Sequence, residues 1–203
     1  MHETDMGVVG VADIMAFSML CLFWLMFLGR TAMLKARGIR VFVLGKGKSP
    51  AGRALEIVLM PALALWTAQA AAAAFGGSLI PAPLFWDAAP ARWTGVALCA
   101  AGLALFAAAL VSFGGAWRVG IDDAGGGGLV VSGVFSLSRN PIFLFMDIYF
   151  FGTFLIYPNW FFLAFFVCAA LGVHGQTLNE ERFLRSRFGA EYEAYCRRVR
   201  RYL

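Results

Sequence analysis

Five apolar runs, separated by polar or proline-bearing segments, set the pattern of this chain. The first, residues 8–28, is broken only by Asp13 and is long enough to cross the ~30 Å hydrocarbon core of a bilayer as a helix. The second, residues 55–80, holds Pro61 and a block of alanines at 70–74, small side chains that let a neighbouring helix come close. The third, residues 93–113, carries no charge. The fourth and fifth, residues 141–157 and 160–178, are separated only by Pro158 and Asn159, which predicts a tight helical hairpin. Residues 179–203 turn charged and aromatic and predict an interfacial or soluble helix. The pattern therefore predicts an all-α integral membrane fold, with about five transmembrane helices and a C-terminal amphipathic cytoplasmic helix.

Composition supports the membrane reading. The 203 residues are 61% apolar and 14% charged, where a soluble domain has about half and about a quarter. The net charge of +5 matters less than its placement. Seven basic residues lie in the loop before the second run, two between Gly114 and Asn140, seven after Glu180, and only Arg92 in a loop on the other side. The positive-inside rule then puts the N-terminus outside and the C-terminus in the cytoplasm; a bacterial-type inner membrane is the expected location. The acidic stretch at residues 2–5, with no small-residue cleavage site after it, does not resemble a secretory signal. Cys21, Cys99, Cys168 and Cys196 show no C-x-x-C spacing and no nearby histidine pair. They read as small buried apolar residues, and no metal is expected. Membrane lipids are the expected partners; nucleic acid is not.

The chemistry concentrates around a polar knot, residues 136–140, set against Pro141. Pro141 suits the first turn of a helix, where its missing N–H needs no partner. Asn140 is then a natural N-cap, and Arg139 sits at the positive end of the helix dipole. Free N–H groups at such an end favour a carboxylate or phosphate ligand; the plainer alternative is a capped helix with an interfacial arginine. Asp147 shares a helix face with Asn140 and Phe143. A carboxyl at that depth is costly, which points to function, although a structural hydrogen bond would also account for it. Asp13 sits near a helix end and reads as interfacial.

The fifth run closes with His174, Gln176, Thr177, Asn179, Glu180 and Glu181. The acid pair suits a cationic or amine-bearing ligand only where something encloses it; otherwise it is a solvated face. The tail could enclose it, because Tyr192, Tyr195 and Val199 form one stripe with arginines on the rest. Its alternative role is a basic helix lying on anionic lipid. Trp117, Arg118, Asp122 and Asp123 cluster in one cytoplasmic loop. The glycines at 125–128 lack the lysine of a phosphate-binding loop and read as a hinge.

The ordered motifs resemble a known family. RNPIF at 139–143, Gly152, and Pro158–Asn159, with LVVSGVF upstream and NEERFLRSRFGAEYEAYCRRVRRYL downstream, are similar to the R-(H/N)-P-x-(Y/F) signature of membrane methyltransferases. These are the isoprenylcysteine carboxyl methyltransferases and phosphatidylethanolamine N-methyltransferases. The likeness covers roughly residues 117–203. It implies S-adenosyl-L-methionine as methyl donor and a lipid-like acceptor. It implies a single domain, 1–203, with N-terminal helices in 1–114 and a cofactor-binding catalytic part in 115–203. Carried onto this chain, Arg139, Glu181 and Asp147 become the candidate catalytic residues. Asn140, Pro141, Phe143, Glu180, Glu181, Arg118 and Tyr192 become the candidate cofactor contacts. Two positions depart from the pattern: Asn140 replaces the commoner histidine, and Phe145 stands where glycine is frequent, which predicts a differently shaped pocket. Sterol reductases share a related C-terminal pattern and use NADPH, so a membrane reductase is the second reading, and a non-catalytic membrane scaffold the third.

Overall fold

A computed structural model of the protein describes residues 10–39, 50–114 and 128–203, with side chains of the second helix from Val58 onward. Among these residues there are six α-helices, one short 3-10 turn and no strand. The helices are α1 (Val11–Ala36), α2 (Pro50–Ala74), α3 (Ala89–Phe113), α4 (Pro141–Ile156), α5 (Trp160–Phe188) and α6 (Ala190–Arg198); the 3-10 turn is Gly133–Ser136. By length and composition α1, α3 and α5 are able to cross a membrane, while the apolar part of α2 (Val58–Ala74) and α4 are shorter.

Two element boundaries differ from the sequence pattern, each for a local reason. The second apolar run leaves the helix at Ala74 rather than at Ile80. Gly76, with φ at +71°, turns the chain there. The buried Gln69 then binds the returning strand of backbone, its Oε1 accepting from Leu79 N at 2.8 Å and Ile80 N at 3.0 Å. The fifth helix does not stop where its apolar composition stops, because nothing in residues 179–188 breaks a helix. It ends at Gly189, whose φ of +48° suits glycine far better than a residue with a side chain. The charged segment is thus the last turns of α5 plus the short α6. Asp13, near the start of α1 as expected, is buried there, its Oδ2 accepting from Gly10 N at 3.0 Å.

The tightest packing joins α3 to α4. A Cβ on Gly152 would lie 2.7 Å from Cys99 Sγ and 2.8 Å from Gly95 O, and one on Gly95 would lie 2.5 Å from Gly152 O. The two backbones therefore touch, as small residues allow in helices packed within a membrane. The alanine block of α2 is also used, with Ala70 and Ala74 buried in the core. Phe145 stacks on Phe106 with centroids 4.6 Å apart and lies against Phe23 at 5.6 Å. Its bulk is taken up over Gly102 of α3, so it shapes the α1–α3 side of the core. Cys99 is buried as expected, but Cys21 and Cys168 are exposed. Their helices show apolar side chains outward, as at Leu25 and Leu171, and a face that meets hydrocarbon has no need of protein cover.

Candidate functional site

A second, smaller cluster sits at the end where α4 begins. Tyr192, Tyr195 and Val199 are buried together, packed by Leu129, Val131, Leu184 and Phe188. The tyrosine stripe thus folds α6 back onto α5. Tyr195 fixes the segment before α4 by donating its hydroxyl to Phe135 O at 2.6 Å. Burial pushes the Tyr195 hydroxyl pKa up to about 12.

Beyond α6 the last residues run along the approach to α4. Arg139 N donates to Arg200 O at 3.0 Å, and Ser138 Oγ donates to Arg201 O at 3.3 Å. Pro141 is the first helical residue, as its chemistry predicts. Asn140 holds the cap position but its side chain does not cap. Its Nδ2 is drawn to Arg201 O, 3.1 Å away, because the tail carbonyl lies within its reach. The helix start is left without a side-chain acceptor on its N–H groups.

This tail delivers Arg201 to Glu181. Arg201 Nε meets Oε1 at 3.0 Å and Nη2 meets Oε2 at 2.9 Å. Arg139 reaches the same carboxylate, Nη2 to Oε1, at 3.2 Å. Side-chain exposure is 4% for Glu181, 11% for Arg139 and 38% for Arg201, so the Arg139 pair is the desolvated one. Glu181 raises the pKa of Arg201, chiefly through their hydrogen bond. Arg139 also donates through Nη1 to the Cys196 sulfur, while its buried Nε has no partner. Tyr192 is 1% exposed, and its hydroxyl finds no nitrogen or oxygen partner. Its pKa is raised by burial and then by the Glu181 carboxylate.

Arg139, Asn140, Pro141, Glu181 and Tyr192 are therefore brought together, although they lie on three elements. Glu180 is half-buried and engaged in a contact of its own. Phe143 is half-buried in the first turn of α4. Asp147 lies apart from this cluster, half-buried on α4, within electrostatic reach of His174. Arg118, with the rest of its loop, falls outside the described residues. The sequence pattern did not single out Ser138, Cys196, Arg201 or Tyr202.

Arg139, just before α4, and Glu181 on α5 pair with each other. Two guanidinium groups share one carboxylate, leaving one positive charge in excess. With an uncapped helix start and the unpartnered Arg139 Nε, the arrangement suits an anionic group such as a carboxylate.

The family model described as phospholipid methyltransferase matches residues 90–191, from the start of α3 into α6. No curated protein and no solved structure matches the chain.

Proposed function

The chain belongs to the phospholipid methyltransferase family, and from that premise we propose that it transfers a methyl group from S-adenosyl-L-methionine to a lipid-like, membrane-partitioned acceptor. Family membership and three long apolar helices make it a membrane protein of methyltransferase type. The observation that carries the site is the Arg139–Glu181 pair beside the uncapped start of α4, inside the matched residues.

When bound, the donor supplies a sulfonium methyl that is already activated, so the protein mainly aligns and shields. Arg139 and the first N–H groups of α4 hold a carboxylate. Glu181, with Glu180 beside it, receives an ammonium as Arg201 yields. Asn140 and Pro141 set the start of α4, with Phe143 in its first turn, Tyr192 offers its buried hydroxyl, and Arg118 is the loop contact. Asp147 serves the acceptor side. In this reading all five helices α1 to α5 cross the bilayer; at 1.5 Å per residue the 16-residue α4 spans roughly 24 Å, close to the hydrocarbon thickness. The N-terminus lies outside. The C-terminus lies on the cytoplasmic side of a bacterial-type inner membrane, with α6 as an amphipathic helix at that surface. Residues 1–203 form one domain, its helices in 1–114 supporting a catalytic part in 115–203.

Calorimetry with S-adenosylhomocysteine tests the reading on purified protein. Binding is expected for the wild type, with at least roughly tenfold weaker binding for Arg139→Ala and for Glu180→Ala with Glu181→Ala, as the loss of a charged hydrogen bond implies. No binding by the wild type, or unchanged affinity in both variants, overturns it. Protection by NADPH in place of S-adenosylhomocysteine would move the protein to the reductase reading.

A further inference from the structure

Asp147 is left without a task by the cluster around Glu181. Its Oδ1 is sealed from solvent and has no hydrogen-bond partner, in a helix where an ionisable group is costly. Across the hairpin on α5, exposed His174 stands within its electrostatic reach. The His174 Nδ1 lies 2.8 Å from the Tyr202 hydroxyl, which the tail brings over α5. Acid, imidazole and phenol thus come from three separate segments, and Tyr202 follows directly on the Arg201 that grips Glu181.

We infer that His174, oriented by Tyr202 and backed by Asp147, takes the proton from the methyl acceptor. The inference rests on the methyl-transfer reading above. It also narrows the substrate: the acceptor is a nucleophile that carries a proton into the site, an amine or thiol on a lipid-like body. A carboxylate acceptor has no proton to lose at neutral pH and needs no such group.

The chemistry is balanced by these residues. With Nδ1–H donating to the Tyr202 oxygen, Nε2 keeps a free lone pair. As the bond from the acceptor atom to the methyl carbon forms, the electron pair of the broken carbon–sulfur bond stays on the donor sulfur. The acceptor's proton passes to Nε2. The imidazolium so formed faces the Asp147 carboxylate and later releases its proton to water. Position agrees with this task. His174 lies four residues before Leu178, where the apolar run ends, so at 1.5 Å per residue it sits roughly 6 Å below that boundary, near lipid head-groups. Among the described residues, the titratable groups that act on it are Asp147 from α4 and Tyr202 from the tail, with Arg201 within reach of Tyr202. From Val58 to Ala74, α2 contributes no ionisable side chain.

A plainer role for the His174–Tyr202 contact is a latch on the tail, and the test separates the two. Calorimetry with S-adenosylhomocysteine should give the same affinity for His174→Gln as for wild type. A lost affinity there means a latch and overturns the inference alone, whereas no binding by wild type sinks the methyl-transfer reading and the inference with it. Turnover is read on vesicles containing an ethanolamine lipid and, in parallel, on a prenylated cysteine carboxylate. His174→Gln should lose roughly 10²-fold or more on the amine at neutral pH. The deficit should shrink as the pH rises towards the amine's own ionisation. A deficit equal at every pH, no deficit, or wild-type turnover on the carboxylate alone overturns the proposal. If neither lipid turns over, the proposal fails.

Discussion

Arg201 grips both oxygens of Glu181, at 3.0 and 2.9 Å, and so ties the tail to α5 two turns before that helix ends. The same carboxylate faces Arg139 at 3.2 Å. Three distant segments therefore depend on one buried anion. Glu181→Gln leaves Arg139 desolvated without a counter-charge, an arrangement that costs about 3 kcal/mol. Arg201→Gln removes a partner that is 38% exposed and should cost only about 1 kcal/mol. Chemical denaturation in detergent, with the double variant completing the cycle, measures both. Equal costs would show that burial does not set the ranking.

The exchange at Glu181 has its own consequence. If a ligand ammonium must take the carboxylate from Arg201, removing that arginine removes the competitor. Arg201→Ala should then bind S-adenosylhomocysteine more tightly, by roughly tenfold if one charged hydrogen bond of about 1.5 kcal/mol is no longer displaced. Weaker binding in calorimetry would mean that Arg201 contacts the ligand instead of vacating its place.

The Tyr195 hydroxyl gives a signature in alkali. It donates to Phe135 O at 2.6 Å, and burial lifts its pKa from the ordinary value of 10.0 to about 12. Below pH 10 the phenol is protonated in the folded and unfolded chains alike, and its contribution to stability is whole. Between 10 and about 12 the unfolded chain ionises first, so stability falls as the pH rises through that window, and above it the contribution is gone. Tyr195→Phe should lower stability by about 1 kcal/mol at neutral pH and flatten part of that alkaline fall. Thermal unfolding followed from about pH 9 to 12 reads both; an unchanged slope would assign the fall to other groups.

What could be read from the sequence, and what could not, divides along physical lines. The α4–α5 hairpin was legible because Pro158 and Asn159 interrupt two apolar runs, and Asn159 does start α5 by accepting from Phe162 N at 3.1 Å. Arg139 and Glu181 were legible as residue types beside helix ends, and so was the stripe of Tyr192, Tyr195 and Val199. Arg201 was not, because RRVRR offers four equivalent arginines and only the return of the tail selects one. The end of α5 was misplaced because a change from apolar to charged residues does not break a helix; Gly189 does. Gln69 was missed for the converse reason, a single polar residue in an apolar run that binds backbone beyond the helix end.

Gly152 was noted in the sequence only for its place after the RNPIF motif, and its structural duty is specific. The α3 backbone lies so close that a methyl group there would meet Cys99 Sγ at 2.7 Å and Gly95 O at 2.8 Å. The sulfur belongs to a buried side chain and the carbonyl to a helix, so neither moves aside easily. Gly152→Ala must push α3 and α4 apart, at a cost of about 1–3 kcal/mol. Gly175→Ala, with no atom within 4 Å of its Cβ, should be neutral or stabilising by a few tenths of a kcal/mol, since alanine is the better helix former. Because α4 carries Arg139 at its start and Asp147 along its length, Gly152→Ala should also reduce turnover more than its loss of stability explains. The comparison is made at a temperature where both variants remain folded. Equal stability of the two alanine variants would contradict the backbone contact between α3 and α4.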